Sequence, residues 1–413
     1  MTYYHRKDCR LCFSKNLNCI FELKPTVLAD AFVEKSRLSE VQERYPRDLF
    51  LCLDCGHVQL LDVVSADAIY RNYLYETSTS LGLVAHFKRF ADEMVGQFHL
   101  GSHSLVVDIG SNDGSLIGAF RELGTRVIGV DPARDVASRA TAMGLPTVPE
   151  YFTAVLAQRL REQFGPADLI TANNVFAHAD NLNDMLQGVR DWLSSDGVFS
   201  FEVSYLPDIF ERSLFDTIYH EHLCYHSLNP LLGFLERGGL EIFDVKHLPT
   251  KGGSLRVLAQ PIGGPRALSR EVSSLANWER EQGWHRPETF RPFVDSFEQK
   301  RKDLVRQLEQ WKAQGKEIIG YGASHTVTTL LGQWELGSFF SCLVDDNPRK
   351  HDLFSPLDHL PVYSSQILEE KLSAIVVILA WQYADTILQK HQRFLQRGGI
   401  FCKPLPRCEI VTA

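Results

Sequence analysis

The sequence lacks a long apolar run. Nowhere in its 413 residues do about 18 apolar residues follow one another without interruption, the length that a membrane-spanning helix needs. Its first residues, MTYYHRKDCRLC, also lack the apolar stretch and small-residue cleavage site of a secretory signal. We therefore expect a cytoplasmic protein without a membrane partner.

Positive charge is not in excess either. The chain has 43 basic and 51 acidic residues, which gives a formal net charge of −8. Nucleic acids and anionic membranes are bound through a broad positive field, which this balance disfavours. We expect a small-molecule substrate and no nucleic-acid partner, although a local basic pocket for a phosphate is compatible with the overall charge.

The chain is too long for one ordinary hydrophobic core. Its 44% of hydrophobic and 23% of charged residues are typical of a globular protein. Changes in pattern along the chain predict three domains with bounds at 1–65, 66–265 and 266–413. For the oligomeric state we expect a monomer or a weak homo-oligomer.

Four of the nine cysteines form two close pairs, Cys9-x-x-Cys12 and Cys52-x-x-Cys55. Two such pairs supply four thiolates, which suit a tetrahedral zinc ion whose coordination positions are all filled by protein. A redox pair or chance is the weaker explanation, because the pairs recur within one short segment. We predict a structural zinc site in a small module over residues 1–65.

Short apolar runs alternate with helical patterns from Leu105 onwards. The predicted strands are SLVVDIG, RVIGVDP, ADLITANNVF and GVFSFEV, and such a rhythm is typical of a parallel sheet covered by helices. Two linking helices are predicted over 270–314. A second rhythm follows in KEIIGYGAS, FFSCLVDDNP, AIVVILAW and GGIFCKPLP. The predicted fold class is α/β, with a zinc-binding module followed by two Rossmann-like units.

The segment VVDIGSNDGSL follows the first predicted strand of the central unit. An acid, a turn and Gly110-x-x-x-Gly114 opening a helix is the arrangement that brings backbone close to S-adenosylmethionine (SAM). The dinucleotide pattern G-x-G-x-x-G is absent there, and Asp131 ends the next strand, where it can accept from ribose hydroxyls. A generic turn with a ribose-binding acid for NAD is the alternative. The predicted cofactor contacts are Asp108, Gly110, Asn112, Gly114, Asp131, Asn173 and Asn174.

The segment FDTIYHEHLCYHS places Tyr219, Glu221 and His222 close together. These side chains could supply a general base, its partner and a hydrogen-bond donor. The spacing alone also allows a metal site or an ordinary cluster of satisfied polar groups. The zinc-protease pattern H-E-x-x-H does not apply, because His220 and His222 are only two positions apart.

A glycine turn, Gly320-Tyr321-Gly322-Ala323-Ser324, opens the second α/β unit, and Asp345 ends its next strand. Such a turn can present backbone N–H groups to a phosphate. The pattern leaves open whether this turn binds a nucleotide or is purely architectural.

Taken together, these motifs resemble the nucleotide-sugar C-methyltransferases that act at C3′ of keto-deoxysugars. The resemblance spans nearly the whole chain. It depends on the cysteine pairs, Tyr73-Leu-Tyr75-Glu-Thr-Ser, DIGSNDG, FDTIYHEH, Pro249-Thr-Lys251-Gly252-Gly253 and GYGAS. It implies a SAM-dependent enzyme of branched-deoxysugar biosynthesis that methylates carbon 3′ of a nucleotide-linked 4-keto-6-deoxy sugar.

The resemblance also implies roles for individual residues. Proton transfer falls on Tyr219, Glu221 and His222, and Tyr75 is placed at the sugar. Our hypothesis is that His222 removes the C3 proton, Glu221 orients or tunes it, and Tyr219 or Tyr75 donates to the developing enolate. The implied substrate contacts are His178, Lys251, Gly252, Gly253, Tyr321, Gly322, Ser324 and Asp345.

Two positions depart from the family pattern. Ser324-His325-Thr326 stands where the family carries a lysine, which leaves the nucleotide open, and Asp131 stands where glutamate is common. The main rival function is O- or N-methylation, because the same SAM domain serves all three chemistries. A zinc and NAD oxidoreductase would need an open zinc position and a dinucleotide fingerprint, and a zinc-ribbon RNA-binding protein would need a basic groove.

Overall fold

The computed structural model describes residues 3–70, 76–79 and 82–413. In chain order, the strands of these residues are β1 Tyr3–His5, β2 Leu17–Phe21, β3 Leu49–Cys52, β4 Val58–Leu60, β5 Asp62–Val64, β6 Leu105–Ile109, β7 Arg126–Val130, β8 Thr147–Val148, β9 Ala167–Asn173, β10 Leu193–Ser204, β11 Cys224–Tyr225, β12 Leu240–Leu248, β13 Ser254–Pro261, β14 Ile318–Tyr321, β15 Cys342–Asp345, β16 Val362–Ser364, β17 Ile375–Ile378, β18 Ile400–Lys403 and β19 Glu409–Val411. The α-helices are α1 Ala66–Tyr70, α2 Leu83–Phe98, α3 Ser115–Glu122, α4 Arg134–Ala142, α5 Ala154–Phe164, α6 Leu182–Trp192, α7 Leu206–Glu211, α8 Leu228–Arg237, α9 Arg270–Gln282, α10 Arg291–Ala313, α11 His325–Trp334, α12 Ala384–Lys390 and α13 Gln392–Gln396.

The N-terminal module is built from two small antiparallel sheets. Strands β1 and β5 pair in one, and β2, β3 and β4 follow one another in the other. Strand β11, from the FDTIYHEH region, joins the second sheet at the free edge of β4. The module therefore shares a sheet with the segment on which we place proton transfer.

The central sheet has the order β12-β13-β10-β9-β6-β7-β8. Strand β13 runs antiparallel to both of its neighbours, and the other pairings are parallel. All five residues of β6 are buried, as expected of a strand covered by helices on both faces. Helix α2 covers one face through buried side chains three or four positions apart: Leu83, Phe87, Phe90, Ala91 and Met94.

The C-terminal sheet has the order β16-β15-β14-β17-β18-β19, parallel except for the last pair. The predicted break between the two linking helices is present, since α9 ends before Gly283 in a left-handed conformation (φ 74°) and α10 begins after a turn that contains Pro287. The predicted fold class is confirmed, whereas the domain bounds stay a prediction. Among the described residues no helix combines the length and the apolar character that crossing a membrane requires.

An aromatic core joins the three parts. Phe297 of α10 packs against Phe21 of the zinc module, with ring centroids 5.1 Å apart, and against Phe215 of the central unit at 4.7 Å. Phe215 in turn contacts Trp334 of α11 at 4.9 Å. Because large buried rings contribute much of the packing energy of a core, the three parts are held in a defined arrangement around the segment 215–225.

Candidate active site

One cavity of about 960 Å³ opens between the two Rossmann-like units. The carboxyl ends of their parallel strands face it, as is usual for ligand crevices in open α/β sheets. Most predicted site residues line it: Asp108, Gly110, Asn112, Asp131, Asn173, Asn174, His178, Tyr219, Glu221, His222, Lys251, Tyr321, Gly322, Ser324 and Asp345. Predicted residues Gly114, Gly252 and Gly253 shape turns behind its wall, and Tyr75 lies outside the described residues.

The four predicted zinc ligands converge in the N-terminal module. The ligand atoms of Cys9, Cys12, Cys52 and Cys55 all lie within 4.8 Å of one another. The Sγ atoms of Cys9 and Cys55 are 3.6 Å apart, and those of Cys12 and Cys52 are 3.5 Å apart. A tetrahedron with zinc–sulfur bonds of about 2.3 Å has edges of about 3.8 Å, so the thiols fit a zinc ion.

The predicted SAM crevice lies where β6 and β7 end. Gly110 adopts φ 70°, and a Cβ there would collide with the side chain of Val175, so only glycine leaves this space open. The carboxylate of Asp131 accepts hydrogen bonds from the backbone N–H groups of Asn112 and Ala133, both at 2.8 Å. These bonds fix the turn and orient the acid at the rim of the crevice.

Asn173, at the end of β9, has both side-chain polar atoms buried, and neither has a hydrogen-bond partner among the residues that the structure describes. Buried amide groups are rarely left unsatisfied, so this side chain is suited to bind a polar ligand group in the crevice. Asn174 holds the neighbouring turn, with φ 57° and its N–H donating to the carbonyl of Glu202 at 2.7 Å. The open space at Gly110 and the unsatisfied amide of Asn173 together fit SAM.

Hydrogen bonds and strand pairing connect the segment 218–225 to the zinc module. Arg47 is fully buried and donates to the carbonyl of Ile218 at 2.6 Å, directly before Tyr219. The Nε2 atom of His220 donates to the Tyr45 carbonyl at 3.1 Å. Four residues after His220 the chain forms β11 on the edge of β4. The zinc module thus sets the position of the backbone that carries Tyr219, Glu221 and His222.

Tyr219 and His222 form a hydrogen-bonded pair. The Nδ1 atom of His222 lies 2.7 Å from the Thr217 carbonyl, which can only accept, so Nδ1 carries the proton. Nε2 is then the acceptor for the Tyr219 hydroxyl at 3.0 Å. Burial lowers the pKa of His222 to about 4, so the imidazole is neutral near pH 7 and its Nε2 lone pair can accept a proton.

His178 closes the other side of this pair. Its ring lies 5.0 Å from that of His222, centroid to centroid, and its Nδ1 lies 3.0 Å from the Tyr70 hydroxyl. Burial lowers the pKa of His178 well below its usual value, so this histidine is also neutral. Lys251, from the Pro249–Gly253 segment, lines the same region of the cavity.

Glu221 faces the C-terminal unit. Its Oε1 lies 3.1 Å from Nε2 of His325, the first residue of α11. We expected Glu221 to orient or tune His222. The ring of His222 is held by the Thr217 carbonyl. Glu221 acts on it through charge, since the carboxylate raises the pKa of His222 against the effect of burial.

The C-terminal glycine turn repeats the geometry of the SAM crevice. The N–H of Ala323 donates to Asp345 at 2.6 Å, and Ser324 caps α11 by accepting from the N–H of Val327. The Tyr321 hydroxyl contacts Asp346 at 3.0 Å and His391 at 3.0 Å. The turn thus exposes backbone and hydroxyl groups to the cavity and holds its carboxylates in internal hydrogen bonds.

Sequence reasoning missed three residues of this site: His325, Asp216 and Trp381. Asp216 is fully buried and lines the cavity. Its Oδ2 accepts a hydrogen bond from Nε1 of Trp381 at 2.8 Å, whereas its Oδ1 has no hydrogen-bond partner among the described residues. Burial raises its pKa to about 7. Asp216 could have been predicted, because it is an acidic residue within the FDTIYHEH segment. No motif in the sequence indicated Trp381.

Comparisons with known proteins agree with this geometry. Family models match the chain in three segments: a zinc binding domain at residues 9–70, a methyltransferase domain at 85–245 and a C-methyltransferase C-terminal domain at 249–406. The chain is 31% identical over 407 residues to the C-methyltransferase NovU of Streptomyces niveus, an alignment that covers 98% of this chain and 97% of that protein.

Solved structures of methyltransferases resemble part of the chain. A SAM-dependent methyltransferase from Clostridium acetobutylicum is 16% identical with a TM-score of 0.36, and the match covers 43% of this chain and 92% of that one. Magnesium protoporphyrin IX methyltransferase from Synechocystis, with bound SAH, is 15% identical with a TM-score of 0.35, covering 43% and 83%. With nearly full-length similarity to a C-methyltransferase, a four-cysteine zinc site and a SAM crevice, the chain belongs to the family of zinc-containing, SAM-dependent C-methyltransferases.

Proposed function

We propose that this C-methyltransferase acts in the cytoplasm on a nucleotide-linked 4-keto-6-deoxy sugar and adds the methyl group to C3′ by base-catalysed enolate formation. The observation that carries the proposal is the Tyr219–His222 pair. It lines one cavity together with the strand ends of both Rossmann-like units. A substrate with a sugar and a nucleotide could extend from this pair towards the C-terminal glycine turn.

Methylation of carbon requires a carbon nucleophile. Removal of a proton from the carbon next to a ketone provides one, because it leaves an enolate. His222 is suited to take that proton, because its Nδ1–H is held by the Thr217 carbonyl and its Nε2 lone pair, which accepts from the Tyr219 hydroxyl, is released when that hydroxyl turns to the substrate. The C3–H bond breaks, the proton moves to Nε2, and the electron pair forms the enolate. The Tyr219 hydroxyl, 3.0 Å from Nε2, is near enough to turn from His222 to the developing enolate oxygen.

SAM held at Gly110, Asp131 and Asn173 would supply an electrophilic methyl group for C3 of the enolate, with the carbon–sulfur electron pair left on sulfur. The chain's own residues hold the reacting groups in place and shield them. His178 and Tyr70 form one wall of the cavity and are hydrogen-bonded to each other, which limits the access of water to the base. The four-cysteine zinc site lies outside the cavity, where it supports the fold of the segment 218–225.

Backbone N–H groups at the start of α11 and the Ser324 hydroxyl are suited to a diphosphate. Few cations line this end of the cavity: His325 and Lys350, both paired with carboxylates. This supports a substrate bound largely through backbone and hydroxyl groups, with the identity of the nucleotide left to experiment.

The proposal is tested by two reactions with candidate 4-keto sugar nucleotides in deuterated water, followed by NMR. Without SAM, the enzyme should exchange the C3 proton for deuterium, and His222→Asn should not. With SAM carrying a ¹³C-methyl group, the label should appear on C3. A labelled O-methyl or N-methyl group, or no exchange in the wild type with any keto sugar nucleotide, would overturn it.

A further inference from the structure

The Glu221–His325 ion pair joins two domains at the cavity. Glu221 belongs to the central segment with Tyr219 and His222, and His325 begins α11 of the C-terminal unit. The carboxylate oxygen and Nε2 are 3.1 Å apart, and the side chains are only 6% and 14% exposed. A buried carboxylate is costly unless a partner compensates its charge, so this pairing carries energetic weight.

Other charged groups surround the pair on every side. Asp30, from the zinc module, lies 3.9 Å from Nε2 of His325 and 3.2 Å from Nζ of Lys350. Lys350 also donates to the Ala323 carbonyl at 2.6 Å. Among the residues that the structure describes, the other titratable neighbours of Glu221, His325 and His222 include Tyr70, His178, Tyr219 and Lys251.

The two members of the pair act on His222 in opposite directions. Glu221 raises the pKa of His222, and His325 lowers it. Burial lowers the pKa of His325 itself, but Glu221 and then Asp30 raise it above its usual value, which favours the cation. The pair therefore acts on His222 through two opposed charges, beside that of Lys251, which also lowers its pKa.

We propose that His325 is a positioning residue for the reaction, which holds the Glu221 carboxylate against the C-terminal unit and limits the negative charge felt by His222. This inference rests on the proposed role of His222 as the base. It gives the C-terminal unit a part in the chemistry besides substrate binding, since the charge environment of the base is complete only when α11 lies against the segment 218–225.

The pH dependence of kcat/KM distinguishes this role from a structural one. In His325→Gln the Glu221 carboxylate loses the cation of His325, so the pKa of His222 rises and the acidic limb of the profile moves to higher pH, by about one unit. In Glu221→Gln the limb moves to lower pH. His325→Lys keeps a cation at this position, and its limb should stay near that of the wild type.

The decisive comparison uses the double variant Glu221→Gln/His325→Gln. Its acidic limb should not lie at higher pH than that of the wild type. An unmoved limb in His325→Gln, or an equal upward shift with and without Glu221, would overturn the inference. Zinc content and the SAM Kd should match the wild type in each variant, whereas His325→Gln should melt at a lower temperature because it removes one partner of a buried ion pair. If His325→Gln does not fold, the comparison of Glu221→Gln with His325→Lys decides, and identical limbs in those two variants would contradict the inference.

A second readout needs no substrate. NMR titration of ¹⁵N-histidine-labelled enzyme, with His222 assigned from His222→Asn, should give a higher pKa for His222 in His325→Gln than in the wild type. An unchanged His222 pKa refutes the inference whatever the substrate is. Failure of C3 exchange in the wild type, with the pKa shift present, would instead refute the proposed function.

Discussion

The two Rossmann-like units share one local design at the strand ends that face the cavity. In each, a glycine with positive φ, Gly110 (70°) or Gly322 (119°), donates its N–H at 2.7 Å to a carbonyl near the end of the neighbouring strand, that of Val130 or Val344. In each, the acid that follows or ends that strand, Asp131 or Asp345, accepts two backbone N–H groups. A glycine that permits the turn and an acid that fixes it are needed wherever a ligand approaches such an edge.

The units differ in what their side chains hold. In the central unit, the buried amide atoms of Asn173 have no partner within the described part of the chain, which suits a small cofactor. The C-terminal unit engages its side chains within the protein: Asp346 contacts Tyr321, and His325 holds Glu221 of the other unit. The central unit thus leaves polar groups available to a ligand, while the C-terminal unit also contacts the segment on which we place proton transfer.

The largest expected effect comes from breaking the module that supports this segment. In the double variant Cys9→Ser/Cys12→Ser, zinc is lost, and structural zinc contributes folding free energy on the order of 10 kcal/mol in small modules. Strand β4 then no longer holds β11, so methyl transfer and the melting temperature should both fall. Zinc content and the melting curve are measured against Cys19→Ser, an exposed cysteine outside the set. Unchanged zinc content and melting would contradict a structural zinc.

His222→Asn tests whether the chemistry lies in the segment between the units. Loss of a general base lowers turnover by about a thousandfold. The SAM Kd should be unchanged, because the crevice at Gly110 and Asp131 is untouched. Steady-state kinetics and calorimetry measure the two quantities, with His103→Asn, an exposed histidine, as the control. Near-normal turnover would remove His222 as the base.

A matched pair of glycine variants separates the two units. A methyl group on Gly110 would collide with Val175, and one on Gly322 would lie 2.8 Å from the Ala380 Cβ, both at positive φ. We expect Gly110→Ala to weaken SAM binding about a hundredfold with little effect on binding of the sugar nucleotide. Gly322→Ala should weaken binding of the sugar nucleotide by a similar factor, with little effect on SAM binding.

Calorimetry with each ligand separates these outcomes. Gly96→Ala, in α2 where a Cβ meets nothing within 4 Å, is the control for a harmless added methyl group. If each cavity variant loses both ligands equally, the cavity is one cooperative site and the division of labour between the units is wrong.

The sequence predicted those parts of the molecule that follow from local pattern. SLVVDIG gave β6, because a strand buried on both faces is a continuous apolar run. The cysteine pairs predicted the zinc site because ligand spacing within each pair is local. Strand β11, two residues long, exists only because β4 of a distant module pairs with it. The Glu221–His325 pair likewise depends on domain packing, which neither periodicity nor spacing encodes.

The smallest expected effect concerns a buried acid between the units. The pKa of Asp216 is raised to about 7 by burial, against the effect of the Trp381 indole, so the folded protein binds a proton that the unfolded chain releases near pH 4. Stability from this group is therefore present below about pH 4 and is lost as the pH rises through about 7.

Asp216→Asn keeps the acceptor for Trp381 but cannot ionise. Its melting temperature should thus gain a few degrees on the wild type between about pH 5 and about pH 8. Thermal melts across this range measure the gain, with exposed Asp92→Asn as the control, and a pH-independent difference would show that Asp216 is ionised in the folded protein throughout.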